Sequence, residues 1–342
     1  MILTKNDIDE FQNIVKKYDK VILLTDDNAR RCCLPLFSDL VDTNNYVVVT
    51  ISHGETNKNL KTVSKVLKKL IENNASRHSL MINLGGGLVT DIGGFIASIF
   101  LRGVDFVNVP TTLLAMTDAA IGGKTGVDFM NYKNLVGSFA EPQAILIIND
   151  FLMTLPKREL LSGMVEMIKY GFVIDKKMLD LSKDNYTDFI MPAVFMKQSI
   201  VDLDKRDDSA RKILNFGHTV GHAIESYFVE DENCLSHGEC VALGMYCSLW
   251  LSVKLIGLNK EILKQYRQIY NKFFNKLIVN DMDIDRLMSI MTHDKKNHDG
   301  EYRFVLLKGM QKPVIDVMVS FDEAKNAVDA MLKWQKTCLN DK

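Results

Sequence analysis

The chain has 342 residues, of which 47% are apolar and 25% are charged. This composition is typical of a globular protein with a sizeable core and excludes a disordered or low-complexity chain. Lys and Arg number 42 against 43 Asp and Glu, so the net charge is −1 and a general nucleic-acid binder is disfavoured.

Short apolar runs alternate with helical patterns along the first part of the chain. The runs are rich in Val and Ile and are bounded by polar or turn residues, as buried strands are. Between them, Lys58–Asn73 and Thr90–Leu101 are predicted to form helices. This alternation predicts an α/β domain with a mostly parallel sheet. The predicted strands are Val21–Thr25, Tyr46–Ile51, Leu80–Leu84, Phe106–Val109 and Ala144–Ile148.

After Leu155 the pattern changes to long segments with a period of 3.6 residues, which predicts an α-helical second domain. Within this domain, Arg303–Leu307 and Val314–Val319 are predicted to form strands. We therefore expect domains over residues 1–152 and 153–342. The predicted helices are Lys157–Phe172, Met191–Asp204, Ile213–Phe228, Gly238–Leu255, Glu261–Phe274 and Phe321–Gln335.

Cellular location is indicated by the N-terminus and the cysteines. The first twenty residues are rich in charge and lack the apolar core of a signal peptide, and we expect no membrane span. The cysteines form no C-x-x-C pair, and Cys32 and Cys33 are adjacent. These features predict a cytoplasmic protein with reduced thiols.

A glycine-rich segment, LGGGLVTDIGGF at residues 84–95, follows a predicted strand and precedes a predicted helix. Glycines there allow close approach of a phosphate to a helix N-terminus, although the pattern is not G-x-G-x-x-G. Asp26 and Glu55 follow the first two strands, where acidic residues bind sugar hydroxyls. A nucleotide site and a tight turn with solvated carboxylates both remain open at this stage.

Three histidines and a carboxylate suggest a metal site. His218 and His222 are four residues apart, which places both on one helix face. His237 begins another helical segment, and Glu166 lies in an apolar helix where a carboxylate needs a partner. Two His and one carboxylate form a catalytic divalent-metal set. The alternative is core hydrogen bonding by the histidines and a surface glutamate.

Several cations lie beside turns rather than on amphipathic surfaces, and their convergence would bind a phosphate and a carboxylate. One of them, Lys124, lies in a Gly-Gly-Lys-Thr string. Position 118 is Asp where a P-loop needs glycine, so a nucleoside-triphosphatase is rejected. The cations are Arg102, Lys124, Lys133, Lys169, Lys197 and Arg211, with Lys133-Asn134 predicted to precede an apolar turn.

Together these motifs resemble the 3-dehydroquinate synthase family of the sugar phosphate cyclase superfamily, from about Thr25 to Leu307. The resemblance is carried by Gly85-Gly-Gly-Leu-Val-Thr-Asp91, Arg102 to Leu114, Asp118 to Lys124, Lys133-Asn134, Gly163-Met-Val-Glu166 with Lys169, Leu214 to Glu225, and His237-Gly-Glu239. This chain departs from the family's usual pattern at His53, Thr90, Ala119 and Ala120.

The resemblance implies a Rossmann-like N-terminal domain, an α-helical C-terminal domain and a site in the cleft between them. It also implies a cytoplasmic lyase of aromatic amino acid biosynthesis that binds NAD and a divalent metal, Zn²⁺ or alternatively Co²⁺. The substrate would be 3-deoxy-D-arabino-heptulosonate 7-phosphate. It would be oxidised at one carbinol, lose phosphate, be reduced, open its ring and close to a carbocycle. A homodimer with no nucleic-acid or membrane partner is expected.

Site residues follow from the resemblance position by position. Glu166, His218 and His237 match the metal ligands. The catalytic set is matched by Asp118, Lys124, Lys169, Lys197, Arg211, Asn215 and His222, and further substrate contacts by Arg102, Asn134 and one of Lys295 and Lys296. The cofactor site is matched by Asp26, Glu55, Lys58, Gly86, Gly87, Asp91, Thr111, Thr112, Lys133 and Thr154.

Three alternatives stay open. A metal-dependent polyol dehydrogenase would share the fold, NAD and metal, but needs no phosphate clamp of the kind that Lys124, Lys197 and Arg211 suggest. A cyclase making aminocyclitol or valiolone precursors would differ at substrate-facing positions, and Lys197, Asn215 and His222 favour the dehydroquinate branch. A catalytically inactive binding protein is disfavoured because every expected ligand is present.

Overall fold

The computed structural model describes residues 1–130, 132–228, 234–274, 279, 282–292 and 301–337. Lys295 and Lys296 lie outside the described residues. The chain divides into two compact units, Met1–Gly163 and Met164–Lys342. The domain boundary expected between residues 152 and 153 stays a prediction.

A parallel sheet forms the centre of the first unit. Its strands are β1 (Ile2–Thr4), β2 (Lys20–Asp26), β3 (Val47–Ile51), β4 (Ser79–Gly85), β5 (Asp105–Pro110) and, later in the chain, β8 (Ala144–Ile147). Within the described residues they lie in the order β1-β8-β5-β4-β2-β3, and each neighbouring pair is parallel. The predicted α/β class is confirmed, and the five predicted strands match β2, β3, β4, β5 and β8 within two residues at each end.

Helices of the first unit cover the sheet through apolar stripes. In the fourth of them, Val63, Val66 and Leu70 are buried, and Asn59 caps the helix by accepting a hydrogen bond from the backbone N–H of Thr62 at 3.0 Å. These side chains join the core formed by the strands. The helices are α1 (Ile8–Val15), α2 (Asp27–Cys32), α3 (Leu34–Ser38), α4 (Leu60–Glu72) and α5 (Gly87–Ile99).

The strand order reverses between β2 and β4. The chain runs from β2 outward to β3 and then returns to the other side of β2 for β4. Ligands of open parallel sheets bind in the crevice outside the carboxyl ends of the strands at such a switch point. Asp26 ends β2, and Gly85 ends β4. The fold therefore places the two sequence candidates for nucleotide contact at the expected edge.

An antiparallel hairpin interrupts the α/β pattern and was not predicted. It consists of β6 (Lys124–Phe129) and β7 (Tyr132–Phe139). The prediction that Lys133 and Asn134 precede an apolar turn is wrong, because both lie inside β7. Asn134 has a left-handed φ of 50°, and its backbone N–H donates to Asp128 at 2.7 Å.

The second unit is mainly helical, as predicted. Its hairpin consists of the antiparallel strands β9 (Glu301–Gly309) and β10 (Lys312–Ser320). No helix among the described residues is both long and apolar enough to cross a bilayer. The helices from Lys157 onward are α6 (Lys157–Val173), α7 (Ile190–Leu203), α8 (His218–Tyr227), α9 (His237–Leu255), α10 (Lys260–Phe273), α11 (Ile284–Thr292) and α12 (Phe321–Thr337).

One predicted helix of the second unit is divided. Ile213–Phe228 was expected to be continuous, but a 3₁₀ turn over Ala210–Asn215 precedes α8. Gly217 separates them with a left-handed φ of 81°, a conformation that favours glycine. The break makes His218 the first residue of α8.

Close packing of α8 on α9 depends on glycine. A Cβ on Gly244 would lie 1.9 Å from the carbonyl oxygen of Gly217, and one on Gly221 would lie 3.1 Å from the Cα of Val241. Backbone atoms cannot rotate away from such contacts, so larger residues would hold the helices apart. The glycines therefore allow the histidines that begin α8 and α9 to meet.

Candidate functional site

The glycine turn of the first unit joins β4 to α5 in a crowded setting. A Cβ on Gly86 would lie 3.0 Å from Thr112, and one on Gly87 would lie 3.4 Å from Ala119. The turn leads directly into α5, whose first backbone N–H groups lack intrahelical partners. A phosphate can approach this helix end closely and meet its positive dipole.

Four residues predicted to contact the cofactor form one charged network. The buried ammonium of Lys58 lies 2.5 Å from Asp91 and 3.9 Å from Glu55, and the ammonium of Lys133 lies 2.7 Å from Glu55. Burial acts against the charge of Lys58, but Asp91 and Glu55 outweigh it and raise the pKa of that lysine. The network ties the loop after β3 to α5 and to the β6–β7 hairpin.

The remaining cofactor candidates hold the loops at this edge. Oδ1 of Asp26 caps α2 by accepting two backbone N–H hydrogen bonds at 2.9 Å. The backbone N–H of Thr111 donates to the Gly85 carbonyl at 2.9 Å. The hydroxyl of Thr154 donates to the carbonyl of Phe151 at 3.3 Å, and burial raises the pKa of the Cys33 thiol to about 11. Cys33 is therefore a protonated packing residue at neutral pH.

Substrate candidates of the first unit lie on turns and strand ends. Asp118 is half-buried in a π-helical turn over Ala115–Ala119, a type of turn that is frequent at functional sites. Lys124 and Asn134 are exposed on the hairpin, and Arg102 is exposed after α5 with a left-handed φ of 66°.

Glu166, His218 and His237 come together in the second unit. One ligand atom from each lies within 4.8 Å of the others. The Nε2 atoms of both histidines lie 3.6 Å from Oε1 of Glu166. This is too long for a hydrogen bond but is close to the roughly 3.4 Å that separates two ligands of a tetrahedral ion held at about 2.0–2.1 Å.

Glu166 lacks the hydrogen bonds that a buried carboxylate needs. The residue is 0% exposed, and within the described part of the chain neither carboxylate oxygen accepts a hydrogen bond of good geometry, although Lys169 forms an ion pair with Oε2. Lys169 compensates the charge at Oε2, but Oε1, which faces the Nε2 atoms of both histidines, accepts no hydrogen bond from the described residues and is costly to bury unless a further cation binds there. The donor set therefore fits a divalent metal ion.

Both imidazoles have their Nδ1 atoms engaged. Nδ1 of His218 lies 3.1 Å from the carbonyl oxygen of Phe216, and Nδ1 of His237 lies 3.2 Å from Oε2 of Glu225. An acceptor at Nδ1 holds the ring proton there and leaves the Nε2 lone pair for a metal. His218 also begins a helix, where the positive dipole end favours the neutral ring.

Charges around the trio perturb all three pKa values. Burial opposes ionisation of Glu166, but Lys169 and the two histidines outweigh it and hold its pKa well below the usual range. Burial, with the charge of Lys169, lowers the pKa of His218. Glu225 and Glu166 overcome burial to raise the pKa of His237 to about 10. Strong perturbation of a compact group of this kind is typical of functional sites.

Further substrate candidates lie on neighbouring segments of the second unit. Lys169 follows Glu166 by one turn of α6, Lys197 is buried on α7, and Arg211 is buried in the 3₁₀ turn that Asn215 ends. Arg211 donates to the carbonyl of Lys205 at 3.3 Å. His222 lies one turn after His218, and their ring centres are 5.1 Å apart.

Two carboxylates of this region were missed by the sequence reasoning. Asp204 accepts hydrogen bonds from the backbone N–H groups of Asp208, Ser209 and Arg211, at 2.7–3.1 Å. Glu225 lies in the same motif as His218 and His222, and its position one helical turn from His222 was the available signal. With His222 and His237, Glu225 forms a second group whose ligand atoms lie within 4.8 Å of one another.

Comparison with known proteins gives matches over both units. A family model described as the 3-dehydroquinate synthase N-terminal domain matches residues 48–162, and one described as the C-terminal domain of that enzyme matches residues 163–297. A 3-dehydroquinate synthase of Parabacteroides distasonis is 37% identical over 334 residues, which cover 95% of this chain and 94% of that protein.

Solved structures support the fold. A 2-deoxy-scyllo-inosose synthase complexed with carbaglucose-6-phosphate, NAD⁺ and Co²⁺ has a TM-score of 0.86 at 22% identity, covering 96% of this chain and 95% of that one. A 2-epi-5-epi-valiolone synthase of Streptomyces hygroscopicus with NAD⁺ and Zn²⁺ has a TM-score of 0.85 at 23% identity, covering 98% and 97%.

Proposed function

Because this chain belongs to the 3-dehydroquinate synthase family, we propose that it converts 3-deoxy-D-arabino-heptulosonate 7-phosphate to 3-dehydroquinate and phosphate. It is an NAD- and metal-dependent carbon–oxygen lyase of the shikimate pathway. The observation that carries this proposal is the meeting of Glu166, His218 and His237, with both Nε2 atoms directed at a buried carboxylate that lacks hydrogen bonds.

We assign the metal to this trio, with Zn²⁺ as the ion and Co²⁺ as a substitute. An ion held there would supply polarisation of a carbinol oxygen of the substrate, and bound NAD would supply the acceptor, and later the donor, of the hydride. Glu166 and the two imidazoles hold the ion, and the neighbouring Lys169 ammonium donates to the substrate.

Anionic groups of the substrate are assigned to the buried cations of the second unit. Lys197 and Arg211 are 5% and 3% exposed, so an anion near them meets little competing water. Their positive charge stabilises the departing phosphate, an oxygen of which takes the proton from the neighbouring C–H as the C–O bond to phosphate breaks and the C=C bond forms. Asn215 and His222 hydrogen-bond the hydroxyl groups, which holds one substrate in register through successive steps.

NAD is assigned to the first unit, with its pyrophosphate at the Gly86–Gly87 turn. The second oxygen of Asp26, which does not cap α2, is available for a ribose or adenosine hydroxyl. Glu55, Lys58, Asp91 and Lys133 hold the loops around the nucleotide through their ion pairs. Thr111, Thr112 and Thr154 complete this site.

The other substrate contacts on this unit are assigned to Asp118, Lys124, Asn134 and Arg102. One of Lys295 and Lys296 contributes a further cation. The enzyme acts in the cytoplasm as a homodimer with no nucleic-acid or membrane partner.

The test is a stoichiometric assay with the purified chain, Zn²⁺, the heptulosonate phosphate and NAD below the substrate concentration. We expect phosphate and 3-dehydroquinate in equal amounts, no net NADH, and loss of both products after chelation of the metal. Accumulation of NADH with a simple polyol, and no phosphate release, would instead identify a polyol dehydrogenase. An aminocyclitol or valiolone cyclase would leave this substrate unchanged.

A further inference from the structure

Glu225 has no role in the proposed reaction, yet it contacts one of the proposed metal ligands. Its carboxylate extends from α8 to Nδ1 of His237, the first residue of α9, at 3.2 Å. The two side chains are 18% and 25% exposed, so water competes only weakly for this contact. We propose that Glu225 is a positioning residue that fixes the tautomer and ring orientation of His237 for metal binding. This inference rests on the metal site of the proposed function.

The position of the His237 ring supports this role. Its two nitrogens face carboxylates on different helices, with Nε2 3.6 Å from Glu166 on α6 and Nδ1 3.2 Å from Glu225 on α8. A neutral imidazole carries one proton, and only the nitrogen without it can bind a metal. Because Glu225 accepts the Nδ1 proton, the proton that a binding metal displaces is the one on Nε2, on the side of Glu166. A carboxylate behind a metal-binding histidine also raises the basicity of the ligand.

His218 provides an internal comparison. Its Nδ1 lies 3.1 Å from the backbone carbonyl of Phe216, so its orientation comes from the chain itself and cannot be removed by a side-chain substitution. His237 depends on a side chain instead. Glu225 is therefore the position at which the orientation of a ligand can be changed while all three ligands remain.

A competing role for Glu225 is that of a direct ligand, together with His222 and His237. That site would use Nδ1 of His237, whereas the Glu166 site uses Nε2. Occupying both at once would require an imidazole that has lost both of its ring protons. A single ion on the Glu166 side, with the Nδ1 proton kept by Glu225, needs no such species.

The experiment measures Zn²⁺ affinity and stoichiometry by competition with a chromophoric chelator, without NAD or substrate. The proteins are the wild type, Glu225→Ala, Glu225→Gln and the control Glu239→Gln. Glu239 lies in the first turn of α9 and accepts a hydrogen bond from the backbone of Ser236 at 2.7 Å, so its substitution perturbs the same helix end.

We expect one ion in every protein. Affinity should fall roughly 10- to 100-fold in Glu225→Ala, less in Glu225→Gln because its amide oxygen still accepts the Nδ1 proton, and remain at the wild-type value in Glu239→Gln. If Glu225→Ala fails to fold, the comparison of Glu225→Gln with Glu239→Gln decides. The inference would be overturned if those two variants bound Zn²⁺ with equal affinity. It would also be overturned if the wild type bound two Zn²⁺ ions and substitution of Glu225 removed one of them. An inactive wild-type chain with this order of affinities would overturn only the proposed function.

Discussion

Substitution of Gly244 by alanine tests how helix packing builds the metal trio. The new Cβ would lie 1.9 Å from the carbonyl oxygen of Gly217 and 2.8 Å from the backbone nitrogen of Gly221. Ordinary contacts begin beyond about 3 Å and both neighbours are backbone atoms, so α9 must move by roughly 1 Å from α8. His218 begins α8 and His237 begins α9. The movement therefore separates the two imidazoles.

The magnitude follows from the cost of overpacking, about 1–3 kcal/mol and more where backbone must shift. At roughly 2–4 °C per kcal/mol for a unit of this size, a cost of about 3 kcal/mol lowers Tm by about 6–12 °C. Metal ligands tolerate displacements of only about 0.2 Å, so Zn²⁺ affinity should fall even in the folded variant.

Differential scanning calorimetry and chelator competition check this prediction. The control is Gly309→Ala in β9, where the added Cβ would meet only the flexible side chain of Lys312, at an ordinary 3.5 Å. It should leave both Tm and Zn²⁺ affinity unchanged. A Gly244→Ala protein with wild-type Tm and Zn²⁺ affinity would refute the claim that these glycines set the distance between the histidines.

Three further substitutions test individual contacts. Lys197→Met keeps an unbranched side chain but removes a charge-assisted contact of about 1.5–3 kcal/mol, so kcat/KM should fall about 10- to 150-fold. The control is Lys264→Met, at an exposed lysine, which should leave kcat/KM unchanged. Equal kcat/KM values in the two variants would exclude Lys197 from the site. Asp91→Asn leaves buried Lys58 without its nearest countercharge, so the affinity for NAD, measured by calorimetric titration, should fall. An unchanged affinity would contradict the assignment of Lys58 and Asp91 to the NAD site. Burial opposes ionisation of Asp204, but backbone N–H groups from Arg211, Ser209 and Asp208 lower its pKa below 3.8, so its stabilising effect is present above about pH 4 and is lost as pH falls. Asp204→Asn should therefore lower Tm at pH 7, and the Tm difference between the variant and the wild type should become smaller in acid. A Tm difference that does not change with pH would contradict this.

Strands of the parallel sheet could be predicted because each is a continuous apolar run. Leu80–Leu84, for example, lies inside a strand whose seven residues are all buried. The β6–β7 hairpin could not be predicted in the same way. Most of its residues are half-buried or exposed, so neither strand is a continuous apolar run, and Gly126 and Gly137 lie side by side where backbone approach is close. Neither helical nor apolar periodicity reports such a contact.

Sequence spacing could indicate the histidines but not their grouping. The interval between His218 and His222 places both on one helix face. The group that forms around Glu166, however, contains His218 and His237, and His237 lies on another helix. That grouping depends on the left-handed Gly217 and on the close contact of α8 with α9, which no periodicity encodes. The family resemblance indicated the trio, while Glu225 emerged only from its contact across the two helices.

The most direct test of the account is an anomalous-scattering measurement on zinc-loaded crystals, with data collected on both sides of the zinc absorption edge. The account predicts one peak about 2.0–2.2 Å from an oxygen of Glu166 and from the Nε2 atoms of His218 and His237. A zinc peak bound by His222 and Glu225 instead, or an active enzyme with no peak at the trio, would contradict it.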